Sequence, residues 1–218
     1  MIASGPAAAD TSTCAQAQAV VARYGLKFPQ PVLDLLARET PRAVANVETV
    51  VSGSVRNLCA AAADACAARG FAPEIVDTAV ADEARAAGRR LAELVRSHAR
   101  DGRRLAFIMG GETVVRLTGH GKGGRNQEFA LAAAPILEGL GNAALISVGS
   151  DGTDGPTDAA GGLVDGTTAA RLRALGLSAE DALADNNAYP TLAAVDGLVI
   201  TGPTGTNVND VAIGLVTP

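Results

Sequence analysis

Apolar runs and helical stripes alternate from Thr49 onward, whereas the first 45 residues carry no such rhythm. Short apolar runs predict strands at Val50–Val51, Ala72–Asp77, Arg104–Met109, Ala143–Val148 and Leu198–Ile200, each flanked by turn-forming residues. Val114–Thr118 alternates as a half-buried strand does. Helices are predicted between them, the first from about Asn57 to Arg69, stopping at Gly70. A second starts at Asp82 with an inward stripe of Ala84, Ala87, Leu91 and Leu94; its acids come first and Arg96 and Arg100 last, as the helix dipole favours. A third carries Phe129, Ala132, Ala133, Ile136 and Leu137 at helical spacing and ends at Gly139. Continuous apolar strands alternating with helices predict an α/β fold, a mostly parallel sheet with helices on both faces in a Rossmann-like layered domain. Residues 46–218 form that domain. Residues 1–45 read as a connector, with a turn at Ser4-Gly5-Pro6, a helix from Thr13 to Tyr24, and breaks at Pro29, Pro31 and Pro41.

Composition narrows the function. A chain of 218 residues that is 48% hydrophobic can bury a large core. The net charge of −5 and the 3% aromatic content argue against nucleic acid, which calls for a basic face and stacking platforms. Cys14, Cys59 and Cys66 form neither a disulfide framework nor a metal-ligand spacing, and are expected to be reduced thiols. With only His98 and His120, a zinc site or a histidine-based triad is hard to assemble. The start of the chain has no signal-peptide pattern and no apolar run is long enough to span a bilayer, so a cytoplasmic protein is expected.

The polar chemistry gathers in loops that follow strand ends, the edge of an α/β sheet where ligands bind. Gly119-His120-Gly121-Lys122-Gly123-Gly124-Arg125-Asn126-Gln127-Glu128 opens onto a helix N-terminus, where free backbone N–H groups and the dipole favour a phosphate or carboxylate. As a dinucleotide fingerprint it lacks the ribose-binding acid about 20 residues on; as a phosphate loop it has Arg125 and Asn126 in place of lysine and a hydroxyl. Gly149–Gly162 carries Asp151, Asp154 and Asp158, which fit magnesium shared with phosphates better than a calcium loop. Thr201–Asp210 supplies hydroxyls, amides and a plausible anion nest. Helix capping is the favoured reading of Asp165, of Ser178 with Asp181, and of Asn187 in Asp185-Asn186-Asn187.

Gly110-Gly111-Glu112-Thr113, Gly121-x-Gly123-Gly124-Arg125-Asn126-Gln127-Glu128, Ser150–Gly161 and Thr201–Asp210, in that order, closely resemble the MOFRL-containing glycerate 2-kinases, a family often labelled hydroxypyruvate reductase. The likeness runs from about Gly53 to the end, with the MOFRL region at about 104–218, and more loosely includes Ile2–Pro6. It implies ATP-dependent phosphorylation of D-glycerate at its 2-hydroxyl, with ATP and Mg2+ as cofactors. Arg125, Asp151 and Asp154 would be catalytic, the two aspartates also serving the metal. Gly123, Gly124, Asn126, Glu128, Thr204, Thr206 and Asn207 would face the substrate, and Gly110, Gly111, Glu112, Gly121 and Lys122 the nucleotide. Family members are about twice as long, so the chain is expected to be a C-terminal half, partnered by a separate N-terminal half or by a second copy. A nicotinamide-dependent hydroxypyruvate reductase and a non-catalytic binding module are the alternatives.

Overall fold

The computed structural model describes residues 9–48 and 50–218, and divides between Ser52 and Gly53 into two compact units. The turn expected at Ser4-Gly5-Pro6 lies outside the described residues. In the first unit, α1 (Cys14–Arg23) starts with a capping box in which the Thr13 side chain and Gln16 satisfy each other's backbone N–H groups, and α2 (Gln30–Leu36) starts with proline in its first turn. Neither helix buries a residue. Val50 and Val51, expected as a strand, are exposed and irregular.

The second unit runs α3 (Val55–Ala67), β1 (Ala72–Val80), α4 (Ala84–His98), β2 (Leu105–Gly111), α5 (Arg125–Leu137), β3 (Ala143–Gly149), β4 (Gly161–Asp165), α6 (Thr168–Ala174), α7 (Ala179–Ala184), α8 (Ala188–Ala193), β5 (Leu198–Val199) and β6 (Asp210–Val216). The strands form one sheet in the order β1-β2-β6-β3-β4-β5. Alternation along β2 sends Leu105, Phe107 and Met109 into the main core with Leu91 and Val95 of α4 and Leu131 and Leu137 of α5. Ile108 points the other way, where Cys59 of α3 and Val211 of β6 close a smaller cluster. Helices thus cover both faces, and Cys59 and Cys66 are buried free thiols.

The expectation of a mostly parallel sheet is overturned. Among the five strand pairings of the described residues only β1 with β2 is parallel; β2–β6, β6–β3, β3–β4 and β4–β5 are antiparallel, so the sheet is mixed. A continuous apolar run reports burial on both faces but not direction, and β6 inserts between β2 and β3 from the far end of the sequence. Val114–Thr118 is likewise not a strand; Val114 makes only an isolated bridge to Glu83.

This topology still collects the polar loops at one edge. Because β6 runs against its neighbours, its first residue, Asp210, lies opposite both Gly111, the last residue of β2, and Gly149, the last of β3. The loops leaving β2 and β3 and the loop entering β6 therefore meet.

Candidate functional site

At that edge Arg125 begins α5. A cation in the first helical turn opposes the dipole and needs an anion nearby. The anion is Asp210: Arg125 donates from Nε to Asp210 Oδ2 at 2.6 Å and from Nη2 to Oδ1 at 2.9 Å, a two-pronged charge-assisted pair. The Asp210 carboxylate raises the already high pKa of the guanidinium. Nη1 makes no hydrogen bond among the described residues, lying 3.8 Å from the exposed Glu112 carboxylate. Arg125 borders a cleft of about 700 Å³ walled by the glycine loop, Val114, Leu117, Glu128, Pro156 and Asn186. Asp210 carries the fork of the site, and sequence reasoning counted it only as one polar residue of its loop. Its signal was available as an acid at the mouth of an apolar run.

Two of the free N–H groups expected at the start of α5, those of Asn126 and Gln127, are already satisfied from within the chain. Asp154, 2% exposed, accepts from Asn126 N at 3.1 Å and Gln127 N at 2.9 Å. Its burial outweighs these hydrogen bonds and pushes its pKa up to about 6, with the nearby Asp210 charge acting in the same direction. Asn126 is buried beside it and accepts from Ser147 Oγ at 2.7 Å.

The glycine loop is held in the same way. Five successive N–H groups donate to three residues: Thr118 and Gly119 to Asn186 Oδ1, His120 to Asp185 Oδ1, Gly121 to the Asp185 carbonyl, and Lys122 to Asn187 Oδ1. The loop lies so close to this segment that a methyl at Gly119 would meet Asp185 Cα at 2.3 Å, and one at Gly121 would meet Asn187 Cβ at 2.4 Å. These glycines answer a need for backbone packing, not open access to an anion. Asn187, expected to cap α8 through its side chain, makes no such bond and holds Lys122 instead. Ser178 does cap α7, accepting from Asp181 N at 3.2 Å. Asp165 accepts from Thr167 N at 2.8 Å at the foot of α6.

The remaining expected site residues fall into four groups. Gly121, Gly123, Gly124 and Glu128 share the Arg125 cleft; Glu128 is 1% exposed and accepts from Arg85 at 3.1 Å and from Asn186 Nδ2 at 2.7 Å. Gly110 and Gly111 border a void of about 10 Å³ against Asn126, Ser147 and Asp210, with Glu112 beside Arg125. Lys122 extends its ammonium 4.5 Å from the Tyr189 ring, whose hydroxyl donates to Asp158. Thr204, Thr206 and Asn207 lie on the exposed loop beside Asp151: Thr204 N donates to the Asp151 carbonyl at 3.1 Å, and Asn207 Nδ2 is 3.5 Å from Asp151 Oδ2. Asp151 Oδ1 accepts from Thr153 N at 2.9 Å. Among the described residues no three His, Cys, Asp or Glu side chains converge on a point that could hold a metal ion. An all-protein cage for a cation is therefore not built here. Nor, among them, is any helix long and apolar enough to cross a membrane.

Comparison with known proteins bears on this geometry. Residues 105–210 match the MOFRL family. The chain is 47% identical to the D-glycerate 2-kinase of Thermotoga maritima over 99% of its own length and 53% of that protein's. It is 40% identical to a putative hydroxypyruvate reductase of Agrobacterium vitis, over 99% of this chain and 51% of the other. The crystal structure of the glycerate kinase from Thermotoga maritima superposes with a TM-score of 0.86 at 46% identity, covering 98% of this chain and 52% of that one. The chain spans about half the length of these relatives. The resemblance read from the motifs holds: residues 105–210 match the MOFRL family and, along nearly its whole length, the chain is similar to glycerate 2-kinases.

Proposed function

We propose that this chain supplies one wall of a glycerate 2-kinase, which transfers the terminal phosphoryl group of ATP to the 2-hydroxyl of D-glycerate. The observation that carries the reading is Arg125, fixed by Asp210 at the rim of a cleft of about 700 Å³ with Nη1 left without a hydrogen bond among the described residues. Phosphoryl transfer requires alignment and neutralisation of charge more than a covalent nucleophile, and a held guanidinium provides both for a carboxylate or a phosphoryl oxygen. Gly123 and Gly124 form the cleft wall toward glycerate. Buried Asn126 and Glu128 act behind that wall as positioning residues. Thr204, Thr206 and Asn207 offer hydroxyl and amide groups on the same sheet edge. Gly110, Gly111, Glu112, Gly121 and Lys122 lie toward the nucleotide.

Magnesium is best matched as an ion carried on ATP phosphates and met by one or two carboxylates. Asp151 suits that role, since its Oδ2 has only a 3.5 Å amide contact. Asp154 has both oxygens on α5 and serves the site as a brace. The relatives' greater length supports an active assembly in which a complementary half or a second copy adds the other wall. Coupled assays separate the readings. ADP release that depends on D-glycerate, from this chain joined to the complementary half of a relative, supports the kinase; oxidation of NADH or NADPH with hydroxypyruvate and no ADP release would replace it with a reductase.

A further inference from the structure

We propose that Asn186 is a positioning residue for the cleft, setting the path of the glycine loop and tying it to α5 and α4. It is 4% exposed, and every hydrogen-bonding capacity of its amide is used. Oδ1 accepts from Thr118 N at 2.7 Å and Gly119 N at 2.9 Å; Nδ2 donates to the Arg116 carbonyl at 3.0 Å and to Glu128 Oε1 at 2.7 Å. Only an amide offers two acceptor sites and two donors in one flat group, so no other side chain of this size satisfies all four neighbours. Glu128 in turn accepts from Arg85 of α4 at 3.1 Å. One buried side chain thus links the loop between β2 and α5, the connector between α7 and α8, and two core helices.

The backbone supports the assignment. Asn186 has φ of 55°, in the left-handed region, which asparagine tolerates better than most side chains. The position is thus strained for a routine core residue and suited to one kept for its amide. Asn186 also borders the cleft directly. If the amide is lost, Thr118 and Gly119 lose their acceptor, and the wall leading to Gly123, Gly124 and Arg125 is released at its root.

Asn186→Gly tests this, because glycine accepts the left-handed backbone without strain and removes only the amide. Amide hydrogen exchange and D-glycerate titration are read on the 218-residue chain for wild type and variant. Thr118 and Gly119 are expected to exchange faster by about tenfold or more, while Ile108 and Ile213 in the central strands keep wild-type rates. D-glycerate affinity is expected to fall by about tenfold. This ligand arm rests on the function proposed above; the exchange arm does not. Unchanged exchange at Thr118 and Gly119, or a uniform rise that includes Ile108 and Ile213, overturns the positioning role in favour of a purely global one. Faster loop exchange with undiminished D-glycerate affinity overturns the link to the cleft. A wild-type chain that binds no D-glycerate overturns the glycerate reading together with that link, and the exchange rates still decide the positioning. Should Asn186→Gly not fold, Asn186→Asp keeps the acceptor and replaces the donor to Glu128 with a second carboxyl group: Thr118 and Gly119 should then stay protected while D-glycerate affinity falls, and either loss of that protection or an unchanged affinity overturns the proposal.

Discussion

Arg125 owes its place to a second residue. Without Asp210 its charge would face the positive end of α5 with only the distant, exposed Glu112 carboxylate near it, so the pair settles the fork geometry before any ligand arrives. Arg125→Lys keeps the charge but loses the two-pronged contact. D-glycerate affinity, measured by calorimetry, is expected to drop at least about tenfold, with the unfolding midpoint moving only slightly. Asp154 makes a different prediction. Its folded pKa of about 6 lies above the ordinary aspartate value of 3.8, so the folded state holds the proton more tightly than the unfolded chain. The associated stability is present below the unfolded value and is lost as pH rises through about 6, by on the order of 3 kcal/mol at most. Urea unfolding of wild type should show this decline between pH 4 and 7. Asp154→Asn should flatten it, at the cost of a weaker helix start of about 1 kcal/mol. A wild-type profile that rises through this window would contradict the assignment.

At the scale of elements, the sequence carried the identities well and their partnerships poorly. The helices α3, α4 and α5 and the strands β2 and β3 were legible because burial on one face or both leaves a periodic trace, and β1 because turn-forming residues flank it. Strand direction left none, and β6 was hidden behind the threonine- and asparagine-rich run that precedes it. The glycine loop was found, yet part of its purpose was missed: the N–H groups from Thr118 to Lys122, and those of Asn126 and Gln127 in α5, looked available for an anion, whereas Asp185–Asn187, some 65 residues away, and Asp154 take them up. Such non-local pairing has no signature in spacing. Gly119→Ala is expected to destabilise the domain by about 1–3 kcal/mol, since the methyl would meet backbone at Asp185 with nowhere to move. A midpoint in urea equal to that of wild type would show that the loop can lift from its support.

For the molecule as a whole, residues from Gly53 onward close two hydrophobic clusters around one mixed sheet, which is what an independently folding domain needs. A cooperative thermal transition is expected for the isolated chain. Turnover is expected to be very low, because donor, acceptor and metal must be held in line, and orientation from a second wall can account for roughly 7–11 kcal/mol of a barrier. Robust D-glycerate-dependent ADP release by this chain alone would place the whole catalytic set within it.

Binding of D-glycerate in the cleft at Arg125 is tested most directly by heteronuclear magnetic resonance. Titrating D-glycerate into the labelled 218-residue chain should shift the Arg125 Nε resonance and the backbone amides of Gly121, Gly123, Gly124 and Asp210, and the same titration of Arg125→Ala should leave those amides unmoved. Shifts that persist in Arg125→Ala, or that gather on other parts of the chain, would contradict it.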